Sequence, residues 1–268
     1  MFGSRQRAVT AATAASTVDA VTTTAAEHPV RARFGRWPHD DDVVHLVLLD
    51  HHMVPTHDDV RRWIAQGRST GARAIRTGAL FPPSTPAFID AGFSVIDTLR
   101  LLELDLTPGR SSGRERLRRR SSPAPERLRR RQLDEAAEID RRSFAPPWSN
   151  DAAALGDIVD ATPRSRARCI RLDGRMIAFA INGRAGETGY VQRLAVDPSG
   201  RRQGVASLLL ADAIGWMRRH HVSRVLVNTA ISNEPATSLY RSCGFVERPE
   251  RLRILERPVD SPQPWPDR

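Results

Sequence analysis

The stretch Tyr190 to Met217, YVQRLAVDPSGRRQGVASLLLADAIGWM, constrains the fold more than any other part of the chain. It opens as an apolar strand, breaks at Asp197-Pro198 and crosses a basic loop that carries Gly204. It then places Val205, Leu208, Leu209, Ala213, Trp216 and Met217 on one side of a helix. That apolar face is core and needs no further explanation. The loop does. A helix N-terminus has unsatisfied N–H groups and the positive end of the dipole, so it attracts anions. Arg201 and Arg202 add charge just before it, and Gly204 and Ala206 let a ligand approach the main chain closely. The natural guest is a phosphate or pyrophosphate. The loop lacks the Lys-Ser/Thr ending of a P-loop and the glycine spacing of a dinucleotide turn, which argues against a metal-bound triphosphate.

The remaining composition narrows the class. At 268 residues the chain can build one large domain or two ordinary ones. No apolar run reaches the ~18–20 residues of a membrane helix, and VVHLVLLD is among the longest. The Ala/Thr-rich start lacks the compact apolar centre of a secretory signal, so a cytoplasmic protein is expected. Cys169 and Cys243 are too few for a disulfide scaffold or a cysteine zinc site, and both read as structural. The net charge is +10, and all 41 basic residues are arginine. Ten of them, with two glutamates, lie between Arg110 and Arg131. A run of that kind reads as a solvated linker or face, and without interleaved aromatics it argues against nucleic-acid binding.

Four parts are expected: a disordered tail over 1–38, a compact pattern over 39–107, a second over 108–257, and a proline-rich tail over 258–268. The second begins with a basic junction. RERLRRR is expected as an edge strand, and a helix is expected from Ser122, its N-cap, through SPAPERLRRRQLDEAAEIDRRSF. A short helix closed by Pro163 follows, then a hairpin turning at Asp173-Gly174. Next come the strand and long helix (about Gln203 to His220), the strand RVLVNTAI, a helix in NEPATSLYRSCGF and a last strand in RPERLRILER.

Arg201 to Ala206, RRQGVA, matches the (Arg/Gln)-x-x-Gly-x-(Gly/Ala) signature of the GNAT superfamily of acyl-CoA-dependent N-acetyltransferases. The preceding LAVDP and the downstream NEPATSLYRSCGF extend the resemblance over about half of the chain. It implies an α/β (α+β) GNAT fold with a mixed, mostly antiparallel central sheet flanked by helices. It also implies acetyl-CoA as co-substrate, an amine acceptor and no metal, and it is compatible with a homodimer. By resemblance, the main chain of Leu194, Ala195 and Val196 pairs with the pantetheine arm. The amides of Arg201, Arg202, Gln203, Gly204, Val205 and Ala206 hold the pyrophosphate. Asn233 bonds the cofactor, or is only a helix cap. Tyr240 protonates the departing thiolate, or is only core. The second half is similar to ribosomal-protein N-terminal acetyltransferases. Those carry a glutamate five residues ahead of the asparagine, where this chain has Asn228, which orients a water, binds the acceptor or is simply a polar strand residue. Glu187 is a weak alternative base. A non-catalytic acyl-CoA-binding protein is the rival expectation.

The first pattern reads as a partial, degenerate copy of the second. ARAIRTGAL (72–80) parallels SRVLVNTAI (223–231), and STPAFIDAGF (84–93) parallels EPATSLYRSCGF (234–245). Where the second half has PSGRRQGVA, the first has HHMVPTHDD, and Phe88 stands where Tyr240 would. His51, His52 and His57 beside Asp50, Asp58 and Asp59 fit no strong metal motif, and Thr56 is expected as a helix cap.

Overall fold

The computed structural model describes residues 30–38, 40–49, 53–107, 123–146 and 148–262. They divide into two units. The N-terminal unit takes the described residues up to Leu101, Asn228–Ser232 and those from Arg248 onward; the other takes Leu102–Val227 and Asn233–Glu247.

In the N-terminal unit, β1 (Ala32–Trp37) pairs antiparallel with β2 (Asp40–Leu48). Helix α1 (His57–Arg68) then returns the chain to β3 (Ala74–Thr77), parallel to β2. Gly67 permits close packing, since a Cβ there would fall 2.3 Å from Ile75 Cδ1. A 3-10 turn at Pro82–Ser84 leads into α2 (Thr85–Asp90) and β4 (Ser94–Asp105). Trp63, Ile64, Ile75 and Phe88 form the centre of this core, with Trp63 stacked on Phe88. The end of β10 (Val246–Pro258) closes the order β1-β2-β3-β10, antiparallel to β3. Arg257, fully buried, donates to the carbonyls of Ala91, Pro258, Ser261 and Pro262, tying the strand's end to the turn after α2.

Two boundaries differ from expectation. Residues 32–37 form β1 where a tail to residue 38 was expected, because Val30, Ala32 and Phe34 pack on the core while intervening arginines hide the alternation. The last strand was expected wholly within 108–257, but from Arg248 it groups with the N-terminal unit, where Glu256 pairs with Arg76.

The second unit contains β5 (Glu126–Arg127), α3 (Leu133–Ser143), α4 (Ala152–Asp160), β6 (Arg164–Leu172), β7 (Arg175–Ala185) and β8 (Thr188–Val196). Next come α5 (Val205–Arg219), β9 (Arg224–Ala230) and α6 (Glu234–Ser242). The order is β4-β9-β8-β7-β6-β5; β5 to β8 pair antiparallel, and β8 pairs parallel with β9. Asp173 (φ 51°) and Gly174 (φ 78°) make the expected hairpin turn. Helices α3 and α4 cover one core through Ile139, Leu155, Phe179 and Ile181; α5 covers another through Leu210, Met217 and Val225.

Helix α3 starts at Leu133, well after the expected cap at Ser122, which lies outside the described residues, as does RERLRRR. Glu126 and Arg127 instead pair with Cys169 and Arg168 as a strand. Leu128 is buried, and the Gln132 side chain accepts from Arg129 N, holding that residue extended.

Candidate functional site

Between β8 and α5 the chain is held open by its own bonds. Asp197 is buried and accepts from the Ser199 main chain (3.0 Å) and hydroxyl, and from Arg142 Nε (2.7 Å). Burial alone would raise its pKa, but the Ser199 bonds and the Arg142 guanidinium more than offset that and hold it at about 2. After the 3-10 turn Pro198–Gly200, Arg202 (φ 60°) and Gly204 (φ 78°) both take the left-handed conformation. Residues 201–204 are exposed, and nothing lies within 4 Å of where a Gly204 Cβ would be. Gly204 is the N-cap of α5 and offers no side-chain oxygen, so the first amides of this helix lack a side-chain cap.

The strand before the loop has one free edge. Strand β8 stays paired with β7 as far as Val196, but its pairing with β9 ends at Tyr190–Leu226. Among the described residues, Leu194, Ala195 and Val196 therefore have no ladder partner on the β9 side, although the Val196 carbonyl accepts from Ser143 Oγ (3.0 Å). A register shift at Ile181/Asn182 leaves Gln192 as the extra residue of a bulge in β8, and bulges re-aim side chains beside active sites.

Tyr240 lies on α6, buried, with its ring 5.7 Å from Phe245. Burial raises its pKa, the Arg193 charge opposes this, and the phenol stays protonated. Asn233 is the N-cap of α6: its Oδ1 accepts from Ala236 N (3.2 Å). The cap reading of Asn233 thus stands, with its Nδ2 free of that bond. Asn228 is half-buried within β9 and groups with the N-terminal unit, whereas the loop, Leu194–Val196, Asn233 and Tyr240 all belong to the other. Glu187 is exposed in the β7–β8 turn, nine strand residues from Val196, or ~30 Å at about 3.3 Å per residue. It is too far from the loop to serve the same chemistry.

One constellation escaped the sequence. Arg193, the residue after the bulge, donates Nε and Nη2 to Asp140 of α3 at 2.6 Å each and Nη2 to the Trp148 carbonyl at 2.9 Å. Its guanidinium lies 3.6 Å from the Phe144 ring centre, and Asn150 N also donates to Asp140 (2.6 Å). Asp140 is fully buried, so the pair fixes the α3–α4 connection onto β8. The only hint was an acid in an otherwise apolar helix face. Asp140 and Asp197 are thus both committed to arginines, and neither is placed as a free base.

Burial raises both thiols, Cys169 up to about 12, in keeping with structural cysteines. In the first unit, Thr56 caps α1 as expected, and His57 Nε2 lies 2.9 Å from Asp90. Asp50, His51 and His52 lie outside the described residues; no His, Cys, Asp or Glu cluster suited to a metal occurs among the described ones.

Known proteins match this pattern. Residues 133–245 match the model of the acetyltransferase (GNAT) family. The ribosomal protein bS18-alanine N-acetyltransferase of Escherichia coli K12 is 31% identical over 115 residues, covering 43% of this chain and 75% of that protein. The tandem GNAT protein from the clavulanic acid biosynthesis pathway, 14% identical, superposes with a TM-score of 0.58 over 87% of this chain and 79% of that one. A GCN5-related N-acetyltransferase from Sphaerobacter thermophilus, 14% identical, gives 0.55 over 85% and 75%. The two structural likenesses speak to fold alone. The chain belongs to the GNAT family of acetyltransferases and shares its fold with a tandem member of that family.

Proposed function

We propose that this chain is a cytoplasmic N-acetyltransferase that moves an acetyl group from acetyl-CoA to a primary amine, that of a protein N-terminus or a small molecule. The observation that carries this is the juxtaposition in one unit of an uncapped helix start behind Arg202 and Gly204 with the free edge at Leu194–Val196. The amides of residues 201–206 suit a pyrophosphate, and the strand edge suits an extended arm with alternating donors and acceptors. Acetyl-CoA, when bound there, supplies the acetyl thioester.

The residues then divide the work. The free main-chain groups of β8 hold and orient the arm. Tyr240 keeps a proton on its phenolic oxygen, ready for the sulfur as the carbon–sulfur bond breaks and the carbon–nitrogen bond forms. Asn233 Nδ2 offers a donor near the start of α6. Asn228 is an amide and takes up no proton at neutral pH, so the acceptor amine enters neutral or loses its proton to water. The relative from Escherichia coli is named as an alanine N-acetyltransferase of a ribosomal protein, which favours a protein N-terminus as acceptor.

Thermal unfolding with and without acetyl-CoA, followed by an amine screen, tests this. Ligand at 100 times its dissociation constant is expected to stabilise by about 2.7 kcal/mol. No stabilisation removes the cofactor assignment. Stabilisation without transfer to any amine favours a non-catalytic acyl-CoA-binding protein.

A further inference from the structure

The bulge in β8 presents a side chain whose hydrogen-bonding capacity is wholly unmet. On β7, Ile181 pairs with Arg193 and Asn182 with Val191, and Gln192 is left over. Both its Oε1 and its Nε2 are shielded from solvent, and neither has a hydrogen-bond partner among the described residues. A buried amide unmet on both sides is costly and uncommon in native proteins.

The surroundings are arranged around this amide without satisfying it. Gly183 leaves space: a Cβ there would fall 2.6 Å from Gln192 Oε1 and 2.2 Å from Thr162 Oγ1. On β7, Asn182 Oδ1 and Arg184 Nε are also unmet among the described residues, while other polar groups nearby are spent elsewhere. Thr162 Oγ1 donates to the Arg164 carbonyl (3.0 Å), Arg193 is bound to Asp140, and Asn150 N also donates to Asp140. On the strand, Gln192 stands two residues before Leu194, where the free edge of β8 is assigned to the acetyl donor.

We propose that Gln192 is an acceptor-binding residue, whose carboxamide takes the main-chain N–H and C=O of the acceptor's second residue. This rests on the acetyl-transfer function proposed above. A primary carboxamide offers one acceptor oxygen and an NH₂ donor side by side. In an extended peptide the N–H and C=O of one residue point to the same side, which is the pattern a neighbouring strand exchanges with. An extended N-terminal segment that displaces the side chains shielding Gln192 meets both of its groups at once. A simple alkylamine meets neither, and a site built around polar groups discriminates against a ligand that leaves them unpaired.

The test uses the full chain, acetyl-CoA and three acceptor sets: tripeptide amides Xaa-Ala-Ala with all first residues, their depsipeptide counterparts in which the second residue's N–H is an ester oxygen, and n-butylamine. Wild type is expected to prefer the peptides and to lose about 10-fold in kcat/KM on the depsipeptides. Gln192→Met, close in volume, is expected to lose about 10–100-fold on peptides, to stop discriminating against the depsipeptides, and to keep or raise its melting temperature. The wild-type depsipeptide comparison stands even if the variant fails to fold. Unchanged peptide kinetics in Gln192→Met, or discrimination that persists in it, overturns the proposal and leaves the amide to water. Transfer to n-butylamine alone overturns it while sparing acetyl transfer. No transfer to any amine overturns the proposal together with the transferase function.

Discussion

The two units contain the same device in an open and a closed form. Each has a strand, an eight-residue-long type of connection (49–56 and 197–204), a helix and a second strand parallel to the first. In the N-terminal unit, pairing runs from Val43–Ala74 to Leu46–Thr77, and Gly78 N still donates to the Leu46 carbonyl (2.8 Å). The ladder therefore continues to the end of β3. In the second unit, pairing stops at Tyr190 with six residues of β8 still to come. The helix starts differ in the same sense. At α1 a capping box satisfies the first turn: Thr56 Oγ1 accepts from Asp59 N, and Asp59 accepts from Thr56 N. At α5 there is a bare glycine behind two arginines. One topology thus serves as a packed core when its edges and amides are internally satisfied, and as a ligand site when they are withheld.

The largest expected effect comes from filling the open helix start. Gly204→Glu puts a side chain at φ 78°, a conformation costing about 1–2 kcal/mol for an L-residue, and sets a carboxylate where an anion is to bind. Affinity for acetyl-CoA, measured by calorimetry, is expected to fall by more than about 100-fold. Retained affinity would show that the pyrophosphate lies elsewhere. Next in size is Tyr240→Phe, expected to lower kcat by about 100-fold with acetyl-CoA affinity unchanged. Wild-type turnover would leave Tyr240 as a core residue of its own unit, as Phe88 is of the N-terminal one.

Local signals were legible in the sequence in both forms, and what arises from pairing between distant segments was not. Glycine, paired arginines and the break at Asp197-Pro198 are local signals, so the loop, α5, α6 and the Asp173-Gly174 hairpin could be read directly. The splay of β8 from β9 and the bulge at Gln192 are properties of pairing between distant segments, and no local pattern encodes them. Arg193 looked like any other arginine until Asp140, 53 residues away, was seen to bind it. Strand β1 was missed because Arg31, Arg33 and Arg36 interrupt its apolar residues, and β5 because it is only the two exposed residues Glu126 and Arg127; in a chain with 41 arginines a charge says little about which face meets solvent.

His45 offers a pH-dependent probe of the closed form. Burial, then the charges of Arg33 and Arg76, lower its pKa to about 3, and its ring packs edge-on against Trp37. The folded state therefore holds it neutral, while the unfolded chain protonates it near 6.5. Its contribution is complete above pH 6.5 and is lost as pH falls toward 3, at up to about 1.4 kcal/mol per pH unit. Thermal unfolding of His45→Gln against wild type over that window is expected to show the shallower dependence. Parallel curves would mean His45 is solvated.

The smallest effect is the most discriminating. Asp59→Ala removes the carboxylate that caps Thr56 and is expected to cost about 1 kcal/mol, read by denaturant unfolding. It also bares the Thr56 N–H and removes a negative charge, making that end chemically closer to α5, although Thr56 Oγ1 still accepts from the amide of residue 59. If bare amides were sufficient for binding, the variant would gain a second acetyl-CoA site. Calorimetric stoichiometry is expected to stay at that of the wild type, because β2 and β3 remain zipped and Asp58 remains in the first turn. A second site in Asp59→Ala would mean that capping alone separates the two halves; an unchanged count would assign the difference to the strands.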